Sequence, residues 1–222
     1  MMPKPEEILR GLTEAADRWV LLAIAWHVAI AALLGALAFG WRPGRRTIGL
    51  MLAPLCASVA VVALLAGNPS NASMFAVLTG ALVVLALRLS PAPPTVAAPA
   101  WAIVLGSLLV AFGLVYPHFL HHSAAMYLVA APVGVVPCPT LAVVIGFSLL
   151  AVGLQSRAWC WVLVTASAFY GIFGVVRLGV ILDVGLFVGT AALALLVTRS
   201  GDRAAQEGQA GNGEKHIEVR AA

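Results

Sequence analysis

The amino-acid sequence predicts an all-α, polytopic integral membrane bundle of about seven transmembrane helices, preceded by an N-terminal interfacial amphipathic helix. Three observations predict it. Of 222 residues, 62% are hydrophobic and only 10% are charged, against roughly 25% charged in an ordinary soluble domain. The apolar residues fall in runs of about 20, the length that crosses a bilayer core of roughly 30 Å. Gly, Pro or charged residues separate these runs. A globular cytosolic enzyme is thereby excluded, because so few charges cannot cover the surface of a soluble fold of this size.

The elements follow in order. Residues 1–18 form an N-terminal segment in which Ile8, Leu12, Ala15, Ala16 and Trp19 recur at helical spacing with the charges elsewhere on the wheel, the pattern of a helix lying in the membrane interface. Glu6, Glu7, Glu14 and Asp17 beside Lys4, Arg10 and Arg18 do not resemble the positive head of a cleavable signal. The bundle, residues 19–198, holds candidate spans at 19–40, 48–67, 72–89, 100–117, 136–154, 158–177 and 180–198. Each is helical because lipid offers no partner to an open backbone. Residues 199–222, rich in Gly, Ala and charge, are expected to be a disordered cytoplasmic tail. The connections are short and leave no extramembrane domain. Residues 118–135 are long and apolar, and are expected to form an interfacial or re-entrant loop.

Sidedness follows from Lys and Arg. With seven spans, Arg42, Arg45, Arg46, Arg88, Arg157, Arg199, Arg203, Lys215 and Arg220 share one side, and Lys4, Arg10, Arg18 and Arg177 the other. Positive residues stay in the cytoplasm, which places the N-terminus outside and the C-terminus inside a bacterial inner membrane. The net charge of +4 reports this topology. No basic stripe interleaved with aromatics occurs, so no nucleic-acid partner is expected. The partners expected are the lipid bilayer itself and a membrane protein or a second copy of the chain. Cys56, Cys138 and Cys160 form no Cys-x-x-Cys and imply no disulfide framework.

On this topology Asn68, Asn71, Tyr116, His118, His121, His122, Cys138, Thr140, Arg177 and Asp183 all fall at or near the outer face, opposite most of the arginines. His27 lies about 12 Å below that face. His118, His121 and His122 stand at i, i+3 and i+4, one face of a helical turn. With Cys138 they are the candidate ligands of a transition metal. The plainer alternative is a set of interfacial histidines reaching water. Val136-Pro137-Cys138-Pro139-Thr140 is the most distinctive motif. Pro139 suits the first helical position, which would make Cys138 the N-cap of the fifth span. A thiol there feels the positive helix end, while a rigid turn is the alternative. Arg177 and Asp183 flank the last turn, as an ion pair guarding a polar cavity, or as a snorkelling arginine and an N-capping aspartate. Gly185 and Gly189 form a Gly-x-x-x-Gly suited to close helix packing.

At Tyr116-Pro117 and Gly134-Val135-Val136-Pro137-Cys138-Pro139-Thr140 the chain resembles an uncharacterised family of bacterial multi-pass membrane proteins, a domain of unknown function. The segment from Pro5-Glu6 to Trp19 and the stretch Leu182-Asp183-Val184-Gly185-Leu186 are also similar. The chain departs from it in Leu141, where a second threonine is usual, and in its dense 118–122 histidines. The resemblance implies a fold and a location, and no activity.

Three functional classes stand open on the sequence. The first is a transporter for a small solute or metal ion, with the outer-face His/Cys cluster at its mouth. The second is an accessory or scaffold subunit of a membrane complex, to which the short loops and packing glycines are suited. The third is a membrane-embedded metal or redox protein. Only His27 lies within a span, which disfavours a bis-His haem. No Ser/His/Asp set or paired-carboxylate site is evident, so no catalytic residue is assigned.

Overall fold

The computed structural model describes residues 4–119 and 124–199; their regular structure is all helical, with no strand among them. Helix α1 runs Pro5–Arg18, α2 Val20–Ala38, α3 Arg45–Leu65, α4 Pro69–Arg88 and α5 Ala100–Val115. A short α6, Tyr127–Ala130, precedes α7, Pro137–Leu150. Helix α8 runs Arg157–Arg177 and α9 Ile181–Arg199. Of the expected tail, 199–222, Arg199 is the last residue of α9, and residues 200–222 lie outside the described residues, as do His121 and His122.

Five of these helices, α2, α3, α4, α8 and α9, are long and apolar enough to cross a membrane. Helices α5 and α7 are apolar but shorter, at 16 and 14 residues, which is about 24 and 21 Å of rise. The outward surface is greasy: Leu21, Val77 and Val176 are 82%, 73% and 79% exposed. Side chains of this kind in contiguous array suit lipid rather than water.

Local sequence explains the boundaries. Lys4 caps α1, its N–H donating to the Glu7 carboxylate at 3.0 Å, with Pro5 at the first helical position, where a missing N–H costs nothing. Asn68 caps α4 by accepting from Asn71 N at 3.1 Å, again with proline at the first position. Ser156 does the same for α8, accepting from Trp159 N at 3.3 Å. Between α7 and α8 the chain turns through Val152, Leu154 and Gln155 at φ 54°, 53° and 51°. That left-handed run is strained for residues with side chains, and a pair of bonds holds it. Gln155 Nε2 donates to Thr95 Oγ1 at 3.0 Å, and Gln155 Oε1 accepts from Thr95 N at 3.4 Å.

Two pairings dominate the bundle, α3 with α4 and α5 with α7. Helix α7 is central, its residues Pro137 to Leu149 all buried. Its approach to α5 depends on glycine. A Cβ on Gly106 would lie 2.8 Å from the Gly146 carbonyl, one on Gly146 would lie 2.6 Å from the Gly106 carbonyl, and one on Gly113 would lie 2.6 Å from the Pro139 carbonyl. Helix α9 uses Gly185 and Gly189 against this pair, the first facing Phe112 and the second Ile145 and Leu109. Polar bonds tie further helices. Trp159 Nε1 donates to Ser148 Oγ at 3.0 Å, and Ser167 and Thr190 hydroxyls meet at 2.7 Å.

The connections gather at two ends. At one end the loop before α3 meets the proline-rich linker, Arg45 N donating to Ala92 O at 3.0 Å and Arg46 N to Ser90 O at 3.2 Å, and the linker meets the 152–155 turn. At the other end lie α1, the α3–α4 turn, residues 116–119, residues 131–136 and the α8–α9 turn.

Candidate functional site

At that second end two helical passages are broken. The first break precedes α7. Residues 131–136 are buried yet not helical, so each backbone group needs a partner inside the protein. Gly134 turns the chain at φ 73°. Its N–H donates to Thr140 Oγ1 at 2.8 Å, and Thr140 Oγ1 donates to Val136 O at 2.7 Å. Its carbonyl accepts from Ser58 Oγ, which in turn accepts from Trp26 Nε1 at 3.0 Å. Trp26 on α2 and Ser58 on α3 therefore brace the loop from the side. A Cβ at Gly134 would strike the Trp26 ring, so only glycine serves there.

The helix that follows begins two residues earlier than the sequence suggests. Val136 is the N-cap and Pro137 the first helical residue, so Cys138 is at the second position and not the cap. The difference has a simple cause: both Pro137 and Pro139 have the fixed φ of a helix, and a proline at the third position loses no bond either. Val136 N is bonded to Pro132 O at 2.9 Å. Of the first turn, Cys138 thus carries the N–H that remains, at the positive end of α7.

The second break ends α8. Residues Phe173–Arg177 form a π turn, a geometry often found at functional sites, and Val180 N returns to Gly174 O at 2.9 Å. A 3-10 turn, Ile181–Asp183, then starts α9.

The two breaks meet at Asp183. Its carboxyl accepts from Tyr116 Oη at 2.6 Å and from Cys138 Sγ at 3.2 Å. Asp183 is 1% exposed, Tyr116 0% and Cys138 8%. Gly174 of the π turn is pressed against the carboxyl so closely that a Cβ would collide with it. The Tyr116 ring meets Phe112 edge-on at 5.3 Å and stacks on Phe119 at 6.1 Å, and Phe119 itself takes φ 71°. Chemically the cluster is an acceptor filled by a phenol and a thiol, out of reach of water, where unpaired polar groups are costly.

The sequence-derived sites distribute as follows. Cys138, grouped with histidines, and Asp183, grouped with Arg177, are brought to each other. His118 lies nearby, half-buried: partial burial pushes its imidazole below the ordinary value while the Asp183 charge opposes that. Among the described residues, no three His, Cys, Asp or Glu side chains gather as a metal-holding group. The Asp183 oxygens are engaged by Tyr116 and Cys138, whereas Arg177 lies on the rim of a cavity. His27 is not free in the bilayer: its Nδ1 lies 2.8 Å from Ala23 O and its Nε2 2.8 Å from Leu114 O, tying α2 to the end of α5. Cys56 and Cys160 are buried packing residues.

That cavity, of about 490 Å³, was not foreseen. Glu7, Gly11 and Ala15 of α1 roof it, Asn68, Ser70 and Asn71 line one side, and Val135, Pro137, Phe173 and Arg177 line the other. It shares both chain breaks with the buried carboxyl: Pro137 and Phe173 face the cavity, and their neighbours Cys138 and Gly174 touch Asp183. Tyr170 Oη donates to Asn71 Oδ1 at 3.1 Å and packs on Phe75, fixing the asparagine at the wall. Sequence placed Asn68, Asn71 and Arg177 at the same face, but gave no sign that α1 covers them.

Compared with protein-family models, with curated proteins and with solved structures, the chain matches none. The five long apolar helices mark a membrane protein.

Proposed function

We propose that the protein is a seven-span transporter of a bacterial inner membrane that takes a small polar solute into the cavity beneath α1. One observation carries this reading: both broken helical passages border the same polar-rimmed cavity. Interrupted helices with their ends turned toward a cavity are the usual construction of solute sites in transporters. Irregular backbone is tolerated within a membrane where it is packed in protein or lines such a cavity. The volume falls in the roughly 300–1,000 Å³ range of small-molecule sites. Its wall mixes acceptors and donors, with Glu7, Asn68, Asn71 and Arg177 around it, which favours a solute carrying both.

In this reading α1 lies in the outer interface, the N-terminus is outside and the C-terminus cytoplasmic. Support for the sidedness does not depend on counting α5 and α7 as spans. Those two helices form a pair that goes and returns, so five spans or seven leave Arg42, Arg45, Arg46, Arg88 and Arg157 on one side and Arg177 on the other. Support for seven comes from the contact of Tyr116 and Cys138 with Asp183, which brings the tips of α5 and α7 level with the α8–α9 turn.

Gly11 offers the test. A Cβ there meets nothing within 4 Å, and alanine-like backbone order is gained when glycine leaves a helix. Gly11→Trp therefore fills the cavity from its roof without disturbing the bundle. Purified protein is challenged with amino acids, polyols, hydroxy acids and nucleosides, and melting is followed. At least one class is expected to raise the melting temperature of the parent and not that of Gly11→Trp. No shift by any class, or a shift that survives the tryptophan, overturns the proposal.

A further inference from the structure

At the opposite end of the bundle a second cavity, of about 520 Å³, has a different character. Leu37 of α2, Met51 of α3, Ile103 of α5 and Phe147 of α7 make its walls, the proline-rich linker closes one side, and Arg42 stands at it. Arg45 opens α3 on the same helical face as Ile48 and Leu52, two further lining residues at i+3 and i+7. The Arg45 Nε atom is buried and has no hydrogen-bond partner among the described residues. A guanidinium donor withdrawn from water without an acceptor is unfavourable, and its planar fork suits a phosphate. The neighbouring Arg46 is different, since its Nε donates to Leu89 O at 3.1 Å.

The first-turn N–H groups of Arg45 and Arg46 are consumed by Ala92 and Ser90 carbonyls. The end of α3 therefore contributes its positive dipole but not those donors, and the two arginine side chains must supply the hydrogen bonds. An apolar groove between helices, with Arg42 in its lining and Arg45 at the adjoining start of α3, is complementary to one occupant in particular. We infer that this groove binds an anionic phospholipid, its phosphate on Arg42 and Arg45 and an acyl chain along Leu37, Met51, Ile103 and Phe147. A free phosphate has no use for the apolar wall, and a zwitterionic lipid offsets the phosphate with its own cation. Basic pockets between helices on the arginine-rich side are known to hold acidic headgroups. The site is separate from the cavity beneath α1, and its failure leaves that proposal untouched.

The experiment strips purified full-length protein of lipid in detergent, then adds dioleoyl phosphatidylglycerol, dioleoyl phosphatidylcholine or inorganic phosphate. Native mass spectrometry reads the bound fraction and a thermal melt reads stabilisation. Phosphatidylglycerol is expected to bind one per chain and to stabilise, with phosphatidylcholine and phosphate inert. Arg42→Gln and Arg45→Gln are each expected to weaken retention on the order of tenfold, the worth of one charge-assisted hydrogen bond. Ile103→Trp, which keeps both arginines, is expected to lose the lipid as well. Equal retention by parent and both glutamine variants overturns the inference. So does stabilisation by phosphate alone, or retention of both lipids alike.

Discussion

Replacing Gly146 by valine is expected to cost the bundle more than any other single change considered, because it acts on the contact that sets the site. A Cβ at Gly146 would lie 2.6 Å from the Gly106 carbonyl oxygen, 2.7 Å from Val110 Cγ2 and 2.9 Å from Val110 N. Two of these are backbone atoms in the middle of α5, which cannot rotate away as the tip of a side chain can. The helices must separate, and α7 is enclosed on all sides, so separation displaces its other neighbours too. Overpacking of this kind costs about 1–3 kcal/mol, and rigid backbone on the other side argues for the upper end. At about 2–4 °C per kcal/mol for a chain of this size, the melt should fall by roughly 10 °C in mild detergent. Gly11→Ala, with open space around it and a better helix former in place of glycine, should keep the melt at or slightly above that of the parent. A Gly146→Val protein as stable as the parent would mean that α5 and α7 are not in this close contact. Since α5 ends at the residue before Tyr116 and α7 starts at the residue before Cys138, that contact also governs their shared grip on Asp183.

Asp183→Leu is the second large effect. It removes the acceptor of two buried donors, Tyr116 Oη and Cys138 Sγ, and stranding a buried hydroxyl costs about 1–3 kcal/mol. It also forces branched carbon into the space that Gly174 keeps free. The same leucine in a Tyr116→Phe background should cost measurably less, because removing both partners of a buried bond is milder than removing one. Asp183→Asn keeps the shape and one carbonyl acceptor, and should sit between parent and leucine. Melting of the four proteins of the Tyr116/Asp183 cycle measures the coupling. An additive cycle would show that the phenol and the carboxyl do not meet. In the proposed transport reading, the leucine variant should also lose solute-dependent stabilisation, because the carboxyl orders both walls of the cavity.

Much of the helical pattern was legible in the sequence because it depends on composition alone. The spans expected at 19–40, 48–67 and 72–89 lie over Val20–Ala38, Arg45–Leu65 and Pro69–Arg88. Two expected spans, at 100–117 and 136–154, lie over helices too short to qualify by length. Their apolar runs continue into non-helical residues, Tyr116–Phe119 on one side and Ala131–Val136 on the other, and hydropathy cannot tell buried loop from helix. The Pro-Cys-Pro motif gave the position of a helix start but misjudged its first residue by two, since either proline can open a helix.

The site was legible only in fragments. Tyr116, Cys138 and Asp183 were each singled out for their own reasons, yet nothing in a single sequence says that positions 116, 138 and 183 converge. That depends on which helices are neighbours, and here the glycines of α5, α7 and α9 decide it. Gly174 carries a signal in the sequence: a small residue one turn before Leu178-Gly179, inside an apolar helix, marks a place where another group comes close. The amphipathic pattern of α1 set Ala15 and Ala16 on an apolar face expected to meet the membrane, and the structure buries both against the rest of the chain. It gave no hint of the cavity that Gly11 and Glu7 border.

The central claim is that the cavity end of the bundle faces away from the cytoplasm. It is tested most directly by thiol labelling in intact bacteria with a membrane-impermeant maleimide. The three native cysteines are buried, so the background is low. Ser70, exposed at the cavity rim, and Ala92, exposed on the linker at the other end, are replaced by cysteine in separate proteins. Ser70→Cys is expected to label in intact cells and Ala92→Cys only after permeabilisation, whether the chain crosses five times or seven. The reverse pattern, or both positions labelling from the same side, would contradict the account.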